Sequence, residues 1–248
     1  MYTTEKLLKE KFITIKNSGW IKSVRKGPTG VGATFEQLLG LDENNLEIPD
    51  LLNIEIKTHR NYSESYISLF NCTPEGPHYH EIERLKNLYG YPDKRLCEYK
   101  ILNVSLNASH STIVRNLYLF KLIVDREEKV IKLQIGDIFL NTIEKEVYWS
   151  FDLLEEKLYR KLKCVAYIYA KRKIFNNYEY FNYYKLDIYK LKSFEDFIRL
   201  IEGGKIRVTF KISVFRSGAR FGQIHDHGTS FSIKKENLHL LYDIINFE

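Results

Sequence analysis

Residues 48–60 read IPDLLNIEIKTHR, and the alternation inside this stretch decides the fold. Ile54 and Ile56 alternate with Glu55 and Lys57. On a strand, successive side chains point to opposite faces, so the two isoleucines turn toward a core while Glu55 and Lys57 share the other face. Asp50 follows Pro49 at a turn just ahead of the strand. Upstream, ATFEQLLG (33–40) predicts a helix ended by Gly40, and Asp42 to Asn45 predict a turn. A helix, a turn and a half-buried strand in succession make a sheet with helical cover.

The polar face carries the chemistry. Asp50 and Glu55, brought together by a turn and a strand, form an oxygen set suited to a hard divalent cation such as Mg²⁺. Lys57, two residues from Glu55, can position a water, assist its deprotonation or balance charge on a phosphate. Metal-assisted hydrolysis of a phosphodiester needs these parts together. Glu36, on the preceding helix, is a candidate fourth member that orients Lys57 or a metal-bound water. Read alone, the same pattern also fits a solvated strand face with Asp50 as a turn residue, because a D…ExK spacing recurs by chance in lysine-rich chains.

Away from this stretch the chain mixes elements without regular alternation. Helices are predicted over 3–14, 80–90 (anchored by Leu85 and Leu88), FDLLEEKLYRKL (151–162), SFEDFIRLIEG (193–203, capped by Ser193) and KKENLHLLYDIINF (234–247). Strands are predicted in SYISLF (65–70), VAYIYA (165–170), 178–189 and IRVTFKISVF (206–215). The apolar runs 99–107, 117–124 and 130–135 read as one antiparallel group. GPTGVG (27–32) and RSGARFGQIHDHG (216–228) read as glycine-marked loops. No repeat or low-complexity linker interrupts the 248 residues. The fold class is α/β (α+β in some schemes): a mixed β-sheet core flanked by helices.

Composition narrows the function. Hydrophobic residues at 44% support a folded core, and 38 Lys and Arg against 32 Asp and Glu leave a net charge of +6, compatible with a polyanionic partner. Cys72, Cys97 and Cys164 form no CxxC pair, which argues against a zinc or disulfide scaffold and for a reducing compartment. The charged opening MYTTEKLLKE is unlike a signal peptide, and no apolar run reaches membrane-spanning length, so the expectation is a cytoplasmic protein. The GPTGVG loop lacks the GK[ST] ending of a Walker A motif, so ATP use is not expected.

The blocks GPTGVGATFEQLLG with IPDLLNIEIKTHR, and ISVFRSGARFGQIHDHGTSFSIKKENLHLLY near the C-terminus, resemble the MvaI/BcnI family of restriction endonucleases. That family has the PD-(D/E)xK nuclease fold and is related to the mismatch-repair nicking enzyme MutH. The resemblance implies a prokaryotic type II restriction endonuclease. It makes Asp50 and Glu55 the metal carboxylates, Lys57 the catalytic lysine and Glu36 the supporting helix glutamate, with Mg²⁺ as cofactor and Mn²⁺ able to substitute. It implies double-stranded DNA as partner and a short, pseudo-symmetric site of about five base pairs. It also implies a monomer acting on one strand at a time, and a cognate DNA methyltransferase in the same system without a stable complex. A single nuclease chain with two packed lobes follows: a catalytic core over about 1–110 and a recognition lobe from parts of 111–248, which together form a DNA cleft.

The resemblance also gives roles to other polar residues. Lys22, Arg25, Lys26 and Thr29, around the glycine loop, suit phosphate contact through charge and backbone N–H groups. In the HDHG tract, His225, Asp226 and His227 invite a metal reading, but they are nearly consecutive and no third well-spaced ligand joins them. They fit base recognition better. The histidines, Arg216 and Arg220 can donate to base edges, and Asp226 can accept from a cytosine amino group. His78, with His80 nearby, is a further base-contact candidate. In AKRKIFNNYEYFNYY (170–184) lysines interleave with aromatics, which fits either a nucleic-acid surface or a decorated β core. Two other functions share these features: a sequence-specific nicking enzyme of the mismatch-repair type, and a non-enzymatic DNA-binding module.

Overall fold

The computed structural model describes residues 4–40, 53–60, 66–78 and 80–245. The turn expected at Asp42 to Asn45, and Asp50 itself, lie outside the described residues. In chain order the first elements are α1 (Thr4–Asn17), β1 (Ile21–Lys22), α2 (Gly30–Leu39), β2 (Glu55–Arg60), β3 (Tyr66–Asn71), α3 (Glu81–Tyr89) and β4 (Tyr91–Pro92). Then come β5 (Lys100–Leu106), β6 (Thr112–Val114), β7 (Tyr118–Asp125), β8 (Val130–Asp137), β9 (Thr142–Ser150) and α4 (Phe151–Leu162). The last part holds β10 (Cys164–Phe175), β11 (Tyr178–Leu191), α5 (Phe194–Glu202), β12 (Ile206–Val214), β13 (Ile224–Asp226), β14 (Ser230–Lys234), α6 (Leu238–Leu241) and β15 (Tyr242–Ile244). No helix among the described residues is long and apolar enough to cross a membrane.

The chain forms two compact units that interleave in sequence: residues 1–64, 158–192 and 242–248 make one, and 65–157 with 193–241 make the other. Residues 65–110, read from the sequence with the catalytic segment, fall in the second unit. Residues 158–192, read with the recognition lobe, fall in the first.

The first unit is built on a mixed sheet ordered β1-β11-β10-β2, with β15 also pairing β11. The β10–β2 pair is parallel, setting Val165 beside Glu55 and Tyr167 beside Lys57. The pairs of β11 with β1, β10 and β15 are antiparallel. One face is apolar: Ile54, Ile56, Ala166, Ile168, Ala170, Phe181 and Ile188 pack with Leu8, Phe12 and Ile15 of α1 and Val31, Phe35 and Leu39 of α2. Alternation sends Glu55, Lys57, Tyr167 and Tyr169 to the opposite face.

Helix α2 starts earlier than the glycines suggest. Gly30 and Gly32 lie in its first turn rather than in a loop. Close approach demands glycine at position 30, where a Cβ would sit 2.6 Å from the Arg25 carbonyl oxygen, while one on Gly32 would sit a tight 3.3 Å from Thr58 Oγ1 on β2.

The second unit holds two sheets, β3-β14-β12-β5-β4 with β13 pairing β12, and β6-β7-β8-β9. Strand β5 pairs with β12 and β4, so the expected antiparallel group of three runs divides between sheets. Buried Trp149 of β9 packs its ring against Phe210 and Phe231 of the larger sheet and donates from Nε1 to the Cys72 carbonyl at 2.9 Å. In α3, Ile82, Leu85 and Tyr89 face inward, whereas Leu88, expected as an anchor, is exposed. Ser193 caps α5 as expected, its hydroxyl accepting from the Asp196 N–H at 3.0 Å.

The expected C-terminal helix is short. After α6 the chain extends, and Tyr242 to Ile244 pair with Leu191 to Tyr189 of β11. The apolar spacing of this segment fits a helix or a strand equally, and the open edge of β11 settles it as a strand.

Candidate active site and DNA-contact residues

The polar face of β2 gathers charge in a small volume. Lys57 Nζ donates to Glu55 Oε1 at 2.8 Å, as expected for two side chains sharing one face of a strand. Lys161, near the end of α4, brings a second ammonium to 3.7 Å from the same oxygen. The Glu55 side chain is only 5% exposed, so it is not the solvated strand face that the bare pattern allows. Burying a carboxylate is costly unless it is paired. Oε1 has its cations, while Oε2 is buried and accepts no hydrogen bond.

Two further orphaned groups lie near it. The hydroxyls of Tyr167 and Tyr242 are buried without a partner, and the Glu55 carboxylate contributes to raising both phenols. Burial is the main cause and keeps both protonated. The ring of Tyr189 joins them, 5.4 Å from Tyr167 and 6.1 Å from Tyr242. His59, next along the face of β2, stacks on Tyr167 at 5.9 Å.

The remaining members stand as follows. Glu36 lies on α2, with Oε1 3.5 Å from where a Cβ on Gly32 would be. Asp50 lies outside the described residues. Among the described residues no group of three His, Cys, Asp or Glu could hold a metal ion. The orphaned Glu55 Oε2 is nonetheless the kind of atom a hard cation takes, so this carboxylate fits one ligand of a divalent metal.

Lys161, Tyr167 and Tyr242 escape the sequence reading. Each comes from a different element, and only the pairing of β10 and β15 within the sheet, with α4 beside it, gathers them. No spacing rule on the sequence could have found them.

The expected phosphate contacts sit on exposed backbone around the start of α2. Lys22, Arg25, Lys26 and Thr29 are all exposed. Thr29 is the N-cap of α2, yet its hydroxyl makes no capping hydrogen bond. Lys22 Nζ rests 3.4 Å from the centre of the Tyr178 ring. The Gly27 carbonyl accepts from Arg60 Nη2 at 2.6 Å, which ties the loop to β2.

In the second unit the HDHG tract is more regular than a loop. Ile224 to Asp226 form β13 and pair with Val214 to Ile212 of β12. The His225 ring stacks on Phe215 at 4.1 Å, and His227 lies 3.8 Å from His225. Burial, with His225 alongside, holds the His227 imidazole below the usual histidine range, which favours its neutral form. Arg220 lies over Phe215 at 3.9 Å. Asp226 Oδ1 accepts from the Gly228 N–H at 2.8 Å. Arg216 is held by a carboxylate, Nη2 donating to Asp93 Oδ2 at 2.7 Å. Asp226 and His78, far apart in sequence, line one cavity of about 370 Å³ together with His80, Glu81 and Ile224.

A model of the MvaI/BcnI restriction endonuclease family matches residues 9–242. The chain belongs to the MvaI/BcnI family. Restriction endonuclease MvaI in complex with its cognate DNA substrate superposes on it with a TM-score of 0.88 at 36% identity, covering 99% of this chain and 98% of that one. MvaI in the absence of DNA gives a TM-score of 0.64 at 35% identity, over 99% and 98% of the two chains. No curated protein matches the chain. As a MvaI/BcnI member it is a type II restriction endonuclease with the mixed-sheet architecture of that fold. DNA cleavage, typically metal-dependent, is the activity of the family.

Proposed function

We propose that this endonuclease hydrolyses both strands of duplex DNA at a short, pseudo-symmetric site of about five base pairs, leaving 5′-phosphate and 3′-hydroxyl ends. The observation that carries the reading is the buried Glu55 carboxylate, with Lys57 at 2.8 Å on one oxygen and the other oxygen orphaned. A carboxylate placed this way can ligate a cation while the neighbouring ammonium stays close to the reacting phosphate.

Asp50 and Glu55 would hold Mg²⁺, for which Mn²⁺ substitutes; when bound, the ion polarises the scissile phosphate and makes a water more acidic. Lys57 balances charge developing on the phosphoryl oxygens and orients the attacking water. Glu36 supports Lys57 or that water. Lys161 shares Glu55 Oε1 with Lys57 and fixes the carboxylate from the helix side.

The first unit carries this chemistry, and the second reads sequence. Lys22, Arg25, Lys26 and Thr29 grip phosphates and set register without reading bases. His225, Asp226, His227 and Arg220, with Arg216 and His78, face base edges, and the shared cavity of His78 and Asp226 supports placing them in one reading surface. One catalytic centre per chain cuts one strand per encounter, so a monomer rebinds in the opposite orientation to cut the second. A methyltransferase of matching specificity protects the host without a stable complex.

The test is digestion of a mixed-sequence plasmid with Mg²⁺, followed by sequencing of the ends, alongside Glu55→Gln and Asp50→Ala. Discrete fragments with one shared end motif are expected, with cleavage lost and DNA binding kept in both variants. Nicked circles as the only product would replace this reading with a mismatch-repair-type nicking enzyme. Unaltered cleavage in Glu55→Gln would remove the site from β2.

A further inference from the structure

The paired strands β10 and β11 continue beyond the described end of β2. Among the described residues, pairing with β2 reaches Ala170 and Arg60, and β10 and β11 stay paired to Phe175 and Tyr178. Asn176 and Asn177 close the hairpin with φ of 47° and 63°, a two-residue turn whose twist suits a firm ribbon. Every residue from Lys171 to Tyr178 is exposed.

The two faces of this ribbon differ in charge. On one, Arg172 Nε donates to Glu179 Oε1 at 2.6 Å, so that cation is neutralised. On the other, Lys171, Lys173 and Phe175 of β10 alternate outward, with Tyr180 beside Lys173 and Lys22 of β1 beside Tyr180. Lys173 Nζ lies 4.3 Å from the Trp20 ring centre and Lys171 Nζ 5.7 Å from that of Tyr184. Among the described residues no carboxylate pairs with Lys22, Lys171 or Lys173. The result is a stripe of ammonium groups bedded on aromatic rings, with Phe175 60% and Tyr178 49% exposed at its tip.

Strand alternation puts this stripe on the face that carries Glu55 and Lys57. Tyr167 stands beside Lys57. Lys171 and Lys173 follow it on the same side of the same strand, roughly 13 and 20 Å further along at ~3.3 Å per residue. A duplex rises ~3.4 Å per base pair, so that span corresponds to about four to six base pairs from the scissile phosphate.

We propose that the lysine face of the β10–β11 hairpin is a backbone grip for the duplex flanking the cut site, binding phosphates independently of sequence through Lys171 and Lys173. The proposal rests on duplex DNA being the substrate and adds a contact outside the recognised bases. Exposed lysines with no carboxylate partner among the described residues favour a polyanion over an apolar protein partner, and aromatic beds support the ammonium groups.

The test compares wild type with Lys171→Gln/Lys173→Gln for binding to a long mixed-sequence duplex without divalent ions across a salt series. Losing two phosphate contacts lowers the slope of log affinity against log salt by about 2. Lys171→Arg/Lys173→Arg restores it. On duplexes whose flank ends short of about four base pairs beyond the mapped cut, wild type and the Gln variant bind alike. An unchanged slope in the folded Gln variant overturns the grip while leaving the proposed cleavage reaction standing. Absence of salt-dependent duplex binding by the wild type overturns both. A variant that alters self-association by sedimentation, with the slope unchanged, assigns the face to protein contact and likewise overturns the grip.

Discussion

Asp93 shows how one residue organises a loop of the second unit. Its side chain is fully buried, accepts from the Arg95 and Leu96 N–H groups at 2.7 and 3.3 Å, and receives Arg216 at 2.7 Å. The Arg216 hydrogen bond, followed by these backbone donors, holds its carboxyl below the usual carboxylate range. A depressed pKa means that the unfolded chain takes up the proton first as pH falls. The stability Asp93 contributes is therefore complete above the ordinary carboxylate pKa of ~3.9 and drains away as pH drops through its lower folded value. In Asp93→Asn, thermal melting at neutral pH should fall below that of wild type, and the gap should narrow below about pH 4. A gap that stays constant into acid would mean that the carboxyl charge is not what holds Arg216.

At this same scale the sequence was legible where chemistry is local. Glu55 and Lys57 share a face because they are two apart on a strand, and the alternation with Ile54 and Ile56 declares it. Lys161 comes to 3.7 Å from the same carboxylate on a helix, and Tyr242 on a late strand feels its charge; only tertiary pairing brings them there. The buried state of Glu55 was not readable either, since β10 supplies its neighbour from more than a hundred residues downstream.

Among elements, β9 carries the packing of the second unit. Trp149 presses on rings from β12 and β14 and donates to the Cys72 carbonyl at 2.9 Å. Trp149→Phe keeps an aromatic ring but leaves a buried acceptor without its donor and opens a void, so unfolding free energy should fall by about 1–3 kcal/mol in denaturant titration. A loss well under 1 kcal/mol would mean that water replaces the indole N–H. Element types followed from periodicity wherever the pattern was unambiguous, as in α4, α5 and β12. They failed where apolar spacing served two structures, as in the last strand, or where a glycine marked close approach rather than a loop, as in Gly30 and Gly32. The sheet membership of β5 depended on its partner β12, which no local pattern names.

For the whole molecule the notable fact is that the sheet carrying Glu55 and Lys57 draws on three separate stretches of chain. β15 pairs with β11, and Tyr242 is fully buried with the Glu55 charge acting on it. A chain ending before Tyr242 should lose plasmid cleavage and melt at lower temperature; full cleavage by such a chain would show that β15 is dispensable to the site. The family resemblance implied one nuclease chain with two lobes, but not this interleaving, because a parallel pair such as β2–β10 joins residues that no run of sequence connects.

The parallel pairing of β2 with β10 also has a consequence in time. While the protein is being synthesised, Glu55 and Lys57 leave the ribosome long before Val165 and Tyr167, the neighbours that bury them. Until those later residues emerge, the carboxylate sits in water and its strand lacks a partner. A fragment released before β10 lacks the strand that stands beside Glu55 and Lys57, so it is expected to leave DNA uncut.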